Sequence, residues 1–165
     1  MRRKSRRLAA RCARSSPRAR TRRGGGLYEL DLYAAIQACN HLVPGLYHYD
    51  PAGHRLIRLR GSTPDVSALL RDAAESTGTP EDTLQVLLIL AARFPRVAWK
   101  YESIAYALTL KHVGVLYQTM YLTATAMGLA PCAVGVGDSE LFARASGLDP
   151  LAEPAVGEFL LGSKR

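Results

Sequence analysis

The longest apolar segment of the chain covers residues 104–127. Its apolar side chains, with small residues between them, cover nearly the whole circumference of a helix drawn through this segment. A helix that is apolar on all sides is normally buried, so the pattern predicts a long helix at the centre of the fold. Lys111, His112 and Gln118 interrupt the segment, which argues against a membrane span.

Shorter patterns predict strands around this helix. Apolar and polar residues alternate over residues 27–32, 46–50 and 54–60, and a turn with proline and glycine between the last two segments predicts a hairpin. Residues 84–90 are almost continuously apolar, as in a central strand covered on both faces. The remaining predicted strands are residues 131–137 and 155–161.

Two shorter helices have recognisable ends. Thr63 is a suitable N-cap for a helix that ends near Gly78, and Asp138 or Ser139 for one that stops at Gly147. Together these elements predict an α+β domain with a mixed sheet, one long buried helix and peripheral helices.

The charge divides the chain into an arm and a body. Residues 1–23 hold eleven of the 22 Lys and Arg residues and no acid, so the arm carries +11 and residues 24–165 carry −3, which together give the net charge of +8. The arm has too few apolar residues to offset the entropy of ordering, and we expect it to be disordered. The domain boundary is placed at Gly24.

The arm alone admits several interpretations. Residues 5–8 resemble the opening of a twin-arginine export signal, but no apolar segment follows them, so export is rejected. An organelle transit peptide has little weight. Non-specific binding to nucleic-acid phosphates is available to any such arm. It is not favoured, because the arm lacks interleaved aromatic residues and a folded binding motif.

The cysteines argue for a reduced compartment. Cys12, Cys39 and Cys132 are widely spaced, and no Cys or His stands at metal-ligand spacing from them. Neither a disulfide framework nor a metal site is predicted, and a cytoplasmic protein fits best.

Lys100 and Tyr101 are the most suggestive polar pair. They place a cation beside a phenol where a strand-like run meets the start of the long helix, and such junctions often carry chemistry. From the residues alone, a solvated lysine and an aromatic residue at the edge of the core explain them as well. The triplet at residues 24–26 similarly fits either a close approach of backbone to an anion or a flexible linker.

Four segments resemble one family in order and spacing. They are GGGLYEL at residues 24–30, PGLYHYD at 44–50, RVAWKY at 96–101, and residues 118–135. Together they resemble the SagB-type dehydrogenases, the azoline-oxidase branch of the FMN-dependent nitroreductase superfamily. The resemblance extends over roughly residues 24–163.

The resemblance implies a homodimer with FMN at the subunit interface. Such enzymes dehydrogenate thiazoline or oxazoline rings to thiazole or oxazole in ribosomally made peptides, and the resemblance leaves room for a cyclodehydratase partner. It places the general base and proton relay at Lys100 and Tyr101. Lys164 and Arg165 would hold the phosphate, unless they are only a charged tail. The other implied cofactor-binding residues are Gly25, Gly26, Leu27, Ala133, Val134, Gly135, Val136 and Gly137.

Several positions depart from the family pattern. Glu29 stands where the family usually has Pro, Thr119 where it has Asn, and His112 and Val115 where it has Glu and His. The family also has helices before the glycine segment where this chain has only the basic arm, so we expect an N-terminally shortened domain. A flavin-free, non-catalytic remnant or scaffold subunit of a peptide-modifying complex is therefore the alternative.

Overall fold

The structure, a computed structural model, describes residues 26–164. The predicted basic arm, Gly25 and Arg165 lie outside the described residues. The strands are β1 (Leu30–Ile36), β2 (Gly45–Asp50), β3 (Arg55–Arg60), β4 (Val86–Ala92), β5 (Leu129–Val134) and β6 (Ala155–Ser163). The helices are α1 (Pro64–Thr77), α2 (Pro95–Tyr101), α3 (Ala105–Ala126) and α4 (Ser139–Ser146), with 3-10 turns at Glu81–Thr83 and Glu102–Ile104.

The six strands form one sheet in the order β3-β2-β1-β4-β6-β5. The α+β class is confirmed, and so are the hairpin of β2 and β3 and the central position of β4. The prediction of a mixed sheet was wrong, since every pairing of neighbouring strands within residues 26–164 is antiparallel. The reason is that α3 connects β4 to β5, and β6 lies between these two strands. A helical connection of this kind produces a parallel strand pair only when the two strands that it joins are neighbours in the sheet, and β4 and β5 are not neighbours.

The edge of the sheet at β3 is open to solvent. All six residues of β3 are exposed, and arginine occupies three of the six positions: Arg55, Arg58 and Arg60. An edge strand offers unpaired backbone N–H and C=O groups.

The helices α1 and α4 cover one face of the sheet and end as the sequence predicts. The hydroxyl of Thr63 accepts a hydrogen bond from the backbone N–H of Val66, and a carboxylate oxygen of Asp138 accepts one from Leu141 at 2.8 Å. Gly78 and Gly147 end the two helices in the left-handed conformation. The apolar core beneath them includes Leu69, Leu87, Ile89, Phe142 and Leu160.

The other face of the sheet carries α3, but this helix is buried along one side only. Thr109, Val113 and Leu116 face the sheet, whereas Tyr106 and Leu122 are 60% and 65% exposed. The prediction of a helix buried on all sides was therefore wrong for the single chain. The sheet covers one side of α3, and within residues 26–164 its outer side is contacted only near its start, by α2 and Phe94. None of the helices in the described part of the chain is both long and apolar enough to cross a membrane.

The segment before α3 is helical rather than strand-like. Pro95 occupies the first turn of α2, where its missing N–H costs nothing, and the helix continues to Tyr101. Glu102 then adopts φ 43° and ψ −119°, an uncommon conformation for a residue with a side chain. Lys100 and Tyr101 therefore lie at the end of a short helix, immediately before a sharp turn of the chain into α3.

Candidate functional site

A groove of about 1130 Å³ lies between α3 and the strands. Its apolar wall comes from alternate residues of the sheet and from one side of α3, and its polar groups come from β1, β2, the segment after β4, and His112. A large apolar groove with a few polar groups is the usual form of a ligand site. The lining residues used below are Tyr28, Asp31, His48, Arg93, Arg96 and His112.

One polar cluster joins β1 to the segment after β4. The guanidinium of Arg93 forms ion pairs with Asp31 and with Glu153, the latter at 3.6 Å. The hydroxyl of Tyr33 donates a hydrogen bond to Glu153 at 2.9 Å, and burial together with this carboxylate raises the pKa of Tyr33. His48 lies 3.7 Å from Asp31. Because both carboxylates contact Arg93, the cluster is best explained as a structural link between β1 and the segment after β4.

A second polar contact joins the start of β1 to α3. Glu29 is fully buried, and its Oε1 shares a hydrogen bond with Nδ1 of His112. Its backbone oxygen accepts another from the N–H of Arg93 at 2.7 Å. Next to it, Tyr28 has φ 52°, and Arg96 donates a hydrogen bond to the Tyr28 carbonyl at 3.1 Å. The entry into β1 is therefore fixed by contacts with α3 and with the segment that begins α2.

The predicted catalytic pair lies outside this groove. Lys100 is exposed at the end of α2, with Nζ 5.2 Å from the centre of the Tyr101 ring, and Tyr101 is half-buried. Neither residue is among those that line the groove in the described part of the chain. The catalytic role of the pair therefore stays a prediction.

The predicted cofactor segments are accessible where they are described. Gly26 is exposed with φ 69°, Leu27 is half-buried, and Lys164 is exposed. After the half-buried Ala133 and the buried Val134, the chain leaves β5 through an exposed stretch in which Val136 is 70% exposed. A Cβ added to Gly135 would meet nothing within 4 Å, so backbone groups there are open to a ligand.

A buried carboxyl group lies behind this exposed stretch. Glu158 of β6 pairs with Val134 of β5, and its side chain is directed towards Gly137. Burial, and to a lesser degree the carboxylates of Asp72 and Asp138, raise the pKa of Glu158 to about 7. Its Oε1 has no hydrogen-bond partner within residues 26–164. The loop at Gly135–Gly137 therefore packs against a titratable side chain.

Sequence reasoning missed several of these polar residues. Glu29 and His112 were noted as departures from a family pattern, but their sequence separation gave no reason to pair them. Asp31 interrupts the apolar positions Leu30 and Leu32, which is also the ordinary alternation of a half-exposed strand. Glu158 could have been recognised more easily than these residues, because it is the single charged residue in the apolar segment that forms β6.

Comparison with known proteins settles the family. A sequence model of the family described as Nitroreductase family matches residues 24–162. The chain belongs to the nitroreductase family. Members of this family are oxidoreductases that typically use flavin, usually FMN. The chain matches none of the curated proteins with which it was compared.

Solved structures share the fold. A protein from Anabaena variabilis assigned as a nitroreductase is 30% identical with a TM-score of 0.72, over 84% of this chain and 28% of that one. A chain of the E. coli microcin synthetase McbBCD complex with truncated pro-MccB17 bound is 20% identical with a TM-score of 0.74, over 92% and 59%. A protein from Ralstonia eutropha, also assigned as a nitroreductase, is 19% identical with a TM-score of 0.64, over 82% and 58%. The nitroreductase-family chain thus spans less than two thirds of each of these three structures.

Proposed function

We propose that this chain is an FMN-dependent oxidoreductase of the azoline-oxidase type, which dehydrogenates thiazoline or oxazoline rings in ribosomally made peptides. The observation that carries the proposal is the Lys100–Tyr101 pair, which is accessible at the end of α2 within a nitroreductase-family domain. The resemblance to a chain of a microcin synthetase complex concerns the fold and is consistent with action on a peptide.

The accessible glycine segments fit a flat cofactor. Gly25, Gly26 and Leu27 would contact FMN from one side, residues 133–137 would lie along its ring system, and Lys164 with Arg165 would hold its phosphate. The open backbone at Gly135 and the exposed side chain of Val136 support this assignment, because a planar ring needs close approach and an apolar surface. Bound flavin would supply the redox chemistry, taking up the hydride from the azoline ring and passing electrons to dioxygen.

The protein's own contribution is proton removal. Forming an aromatic ring from an azoline requires loss of a carbon-bound proton together with a hydride. Lys100, as the free amine, takes that proton, and the phenol of Tyr101 relays it towards solvent. Lys100 is exposed and makes no hydrogen bond within the described residues, so its amine is free to meet a substrate that docks from outside.

A second copy of the chain completes the proposed enzyme. Tyr106, Leu110 and Leu122 leave apolar surface on the side of α3 that the sheet does not cover. Apolar surface of this kind on a helix marks an interface with another protein. A homodimer through α3 would bury it, and a cyclodehydratase could bind the dimer elsewhere.

Flavin retention tests the proposal. The purified chain is soaked with excess FMN, desalted, and its absorbance recorded from about 300 to 550 nm, where flavin absorbs. About one flavin per chain is expected. A folded protein that retains none would overturn the proposal and support the flavin-free scaffold subunit instead.

A further inference from the structure

The contact between Glu29 and His112 is largely buried, which distinguishes it from an ion pair on the protein surface. Glu29 is fully buried, and His112 keeps 16% of its side chain exposed. An ionised carboxylate in such a position is costly unless a countercharge or hydrogen bonds stabilise it. Within residues 26–164 His112 is the only ionisable side chain that forms an ion-pair contact with Glu29, and Oε2 of Glu29 has no hydrogen-bond partner. A His112 that carries protons on both ring nitrogens supplies the countercharge that an ionised Glu29 requires.

The contact also determines which ring atom of His112 is available to a ligand. Nδ1 is engaged in the hydrogen bond with Glu29, so Nε2 is the remaining polar atom of the ring. It makes no hydrogen bond within the described residues, and His112 lines the groove. A carboxylate that binds one ring nitrogen of a histidine fixes the orientation of the ring, so that the other nitrogen can contact a ligand in the cavity. Glu29 is thus a positioning residue for His112.

The surrounding charges limit the kind of ligand that fits. Asp31 is paired with Arg93, Asp50 with Arg55, and Arg96 donates to the carbonyl of Tyr28. The rest of the wall near His112 is apolar or neutral, including Val115, Leu116, Thr119 and Met120. The other titratable groups on the wall are Tyr28, His48 and Tyr49. A neutral ligand with one hydrogen-bond acceptor matches this wall better than an ion does.

We propose that the Glu29–His112 pair is a ligand-binding site of the groove, in which Nε2–H of His112 donates a hydrogen bond to the acceptor atom of a neutral, largely apolar ligand. The imine nitrogen of an azoline ring is such an acceptor. The choice of this ligand rests on the proposed function, whereas the pair itself is independent of flavin and of Lys100.

The test uses the full chain without FMN and 2-methylthiazoline as the probe. Nitrogen-15 NMR of the histidine rings at about pH 6 reports on both nitrogens of His112. In the free protein we expect Nδ1 to carry a hydrogen-bonded proton, and addition of the probe is expected to shift the Nε2 signal. A probe that binds without moving this signal, or that does not bind, would overturn the proposal even if the chain retains FMN.

Three variants sharpen the result. His112→Gln keeps a donor for Glu29 but lacks the ring Nε2, and Glu29→Gln removes the countercharge while keeping the shape. Each is expected to weaken probe binding about tenfold, as for the loss of one good hydrogen bond. His41→Asn is the matched control, because His41 is exposed and has φ 66°, which Asn tolerates. Equal binding by His112→Gln and His41→Asn would count against the site. If a variant fails to fold, the titration of the wild-type chain with 2-methylthiazoline still tests the proposal.

Discussion

The carboxyl group of Glu158 occupies the space into which a side chain at Gly137 would project. A Cβ built on Gly137 would lie 2.6 Å from Oε1 and 2.8 Å from Cδ of Glu158. Real Cβ atoms do not approach other atoms this closely, and the Glu158 side chain is only 4% exposed, so it has little room to move away. The exposed loop after β5 and the buried carboxyl group therefore constrain each other.

Substitution at Gly137 tests this contact. Gly137→Ala is expected to lower the free energy of unfolding by about 1–3 kcal/mol, as for an overpacked buried site. Gly135→Ala is the matched control, since a Cβ there meets nothing within 4 Å, and its effect should stay within about 0.5 kcal/mol. Urea unfolding of the two variants measures the difference. Equal losses would show that the contact with Glu158 does not matter.

Stability should depend on pH through Glu158. Burial raises its pKa in the folded chain to about 7, from a reference value of 4.5. Between these values the unfolded chain binds fewer protons than the folded chain, so the stability from Glu158 is full below pH 4.5, falls as pH rises, and is lost above pH 7.

Glu158→Gln isolates that dependence. The amide resembles the protonated carboxyl group and does not ionise, so the variant should gain stability relative to wild type as pH rises, by roughly 3 kcal/mol at pH 8. Urea unfolding at several pH values measures the difference. A difference that does not change with pH would mean that Glu158 does not titrate as described.

Dimer formation should depend on the uncovered side of α3. Leu122 is 65% exposed in the single chain, and Leu122→Glu would place a charge in the proposed interface, where an unpaired buried charge is costly. We expect this variant to be monomeric by analytical ultracentrifugation at concentrations where the wild type is dimeric. Leu151→Glu is the control, because Leu151 is 88% exposed in a loop. If both variants remain dimeric, α3 is not the interface.

The role of Lys100 can be separated from that of the cofactor site. Lys100→Ala should retain FMN as the wild type does but lose about 10²–10⁴-fold in turnover, the range typical of a lost general base. Lys111→Ala removes another exposed lysine, on α3, and should leave turnover unchanged. The measurements are flavin absorbance after desalting and the rate of thiazoline oxidation. Normal turnover in Lys100→Ala would remove this residue from the mechanism.

Local sequence signals were enough for most of the fold. Thr63 and Gly78 mark the ends of α1, and the apolar residues of β4 identify a central strand, because caps and patterns act within a few residues. Strand direction was harder, since it depends on β6 lying between β4 and β5, which are joined by a long helix. The one-sided burial of α3 was missed because its apolar residues surround the whole helix.

The site was less predictable than the fold. Glu29 and His112 are 83 residues apart and meet only because β1 lies beneath α3. Glu158 and Gly137 likewise meet through the pairing of β5 with β6. Contacts of this kind depend on tertiary packing, which single-sequence patterns do not record. The roles of Lys100 and Tyr101 came from resemblance, and their geometry in the single chain leaves those roles to experiment.

The arginines of β3 affect whether a strand of another molecule can add to this edge of the sheet. Because β3 is the last strand on its side, its free N–H and C=O groups would accept a strand from another molecule, and Leu56, Ile57 and Leu59 would make that pairing favourable. Arg58 and Arg60 oppose it, since two such edges brought together would place like charges next to one another, whereas Arg55 is paired with Asp50. The edge strand thereby protects the chain against fibrous aggregation.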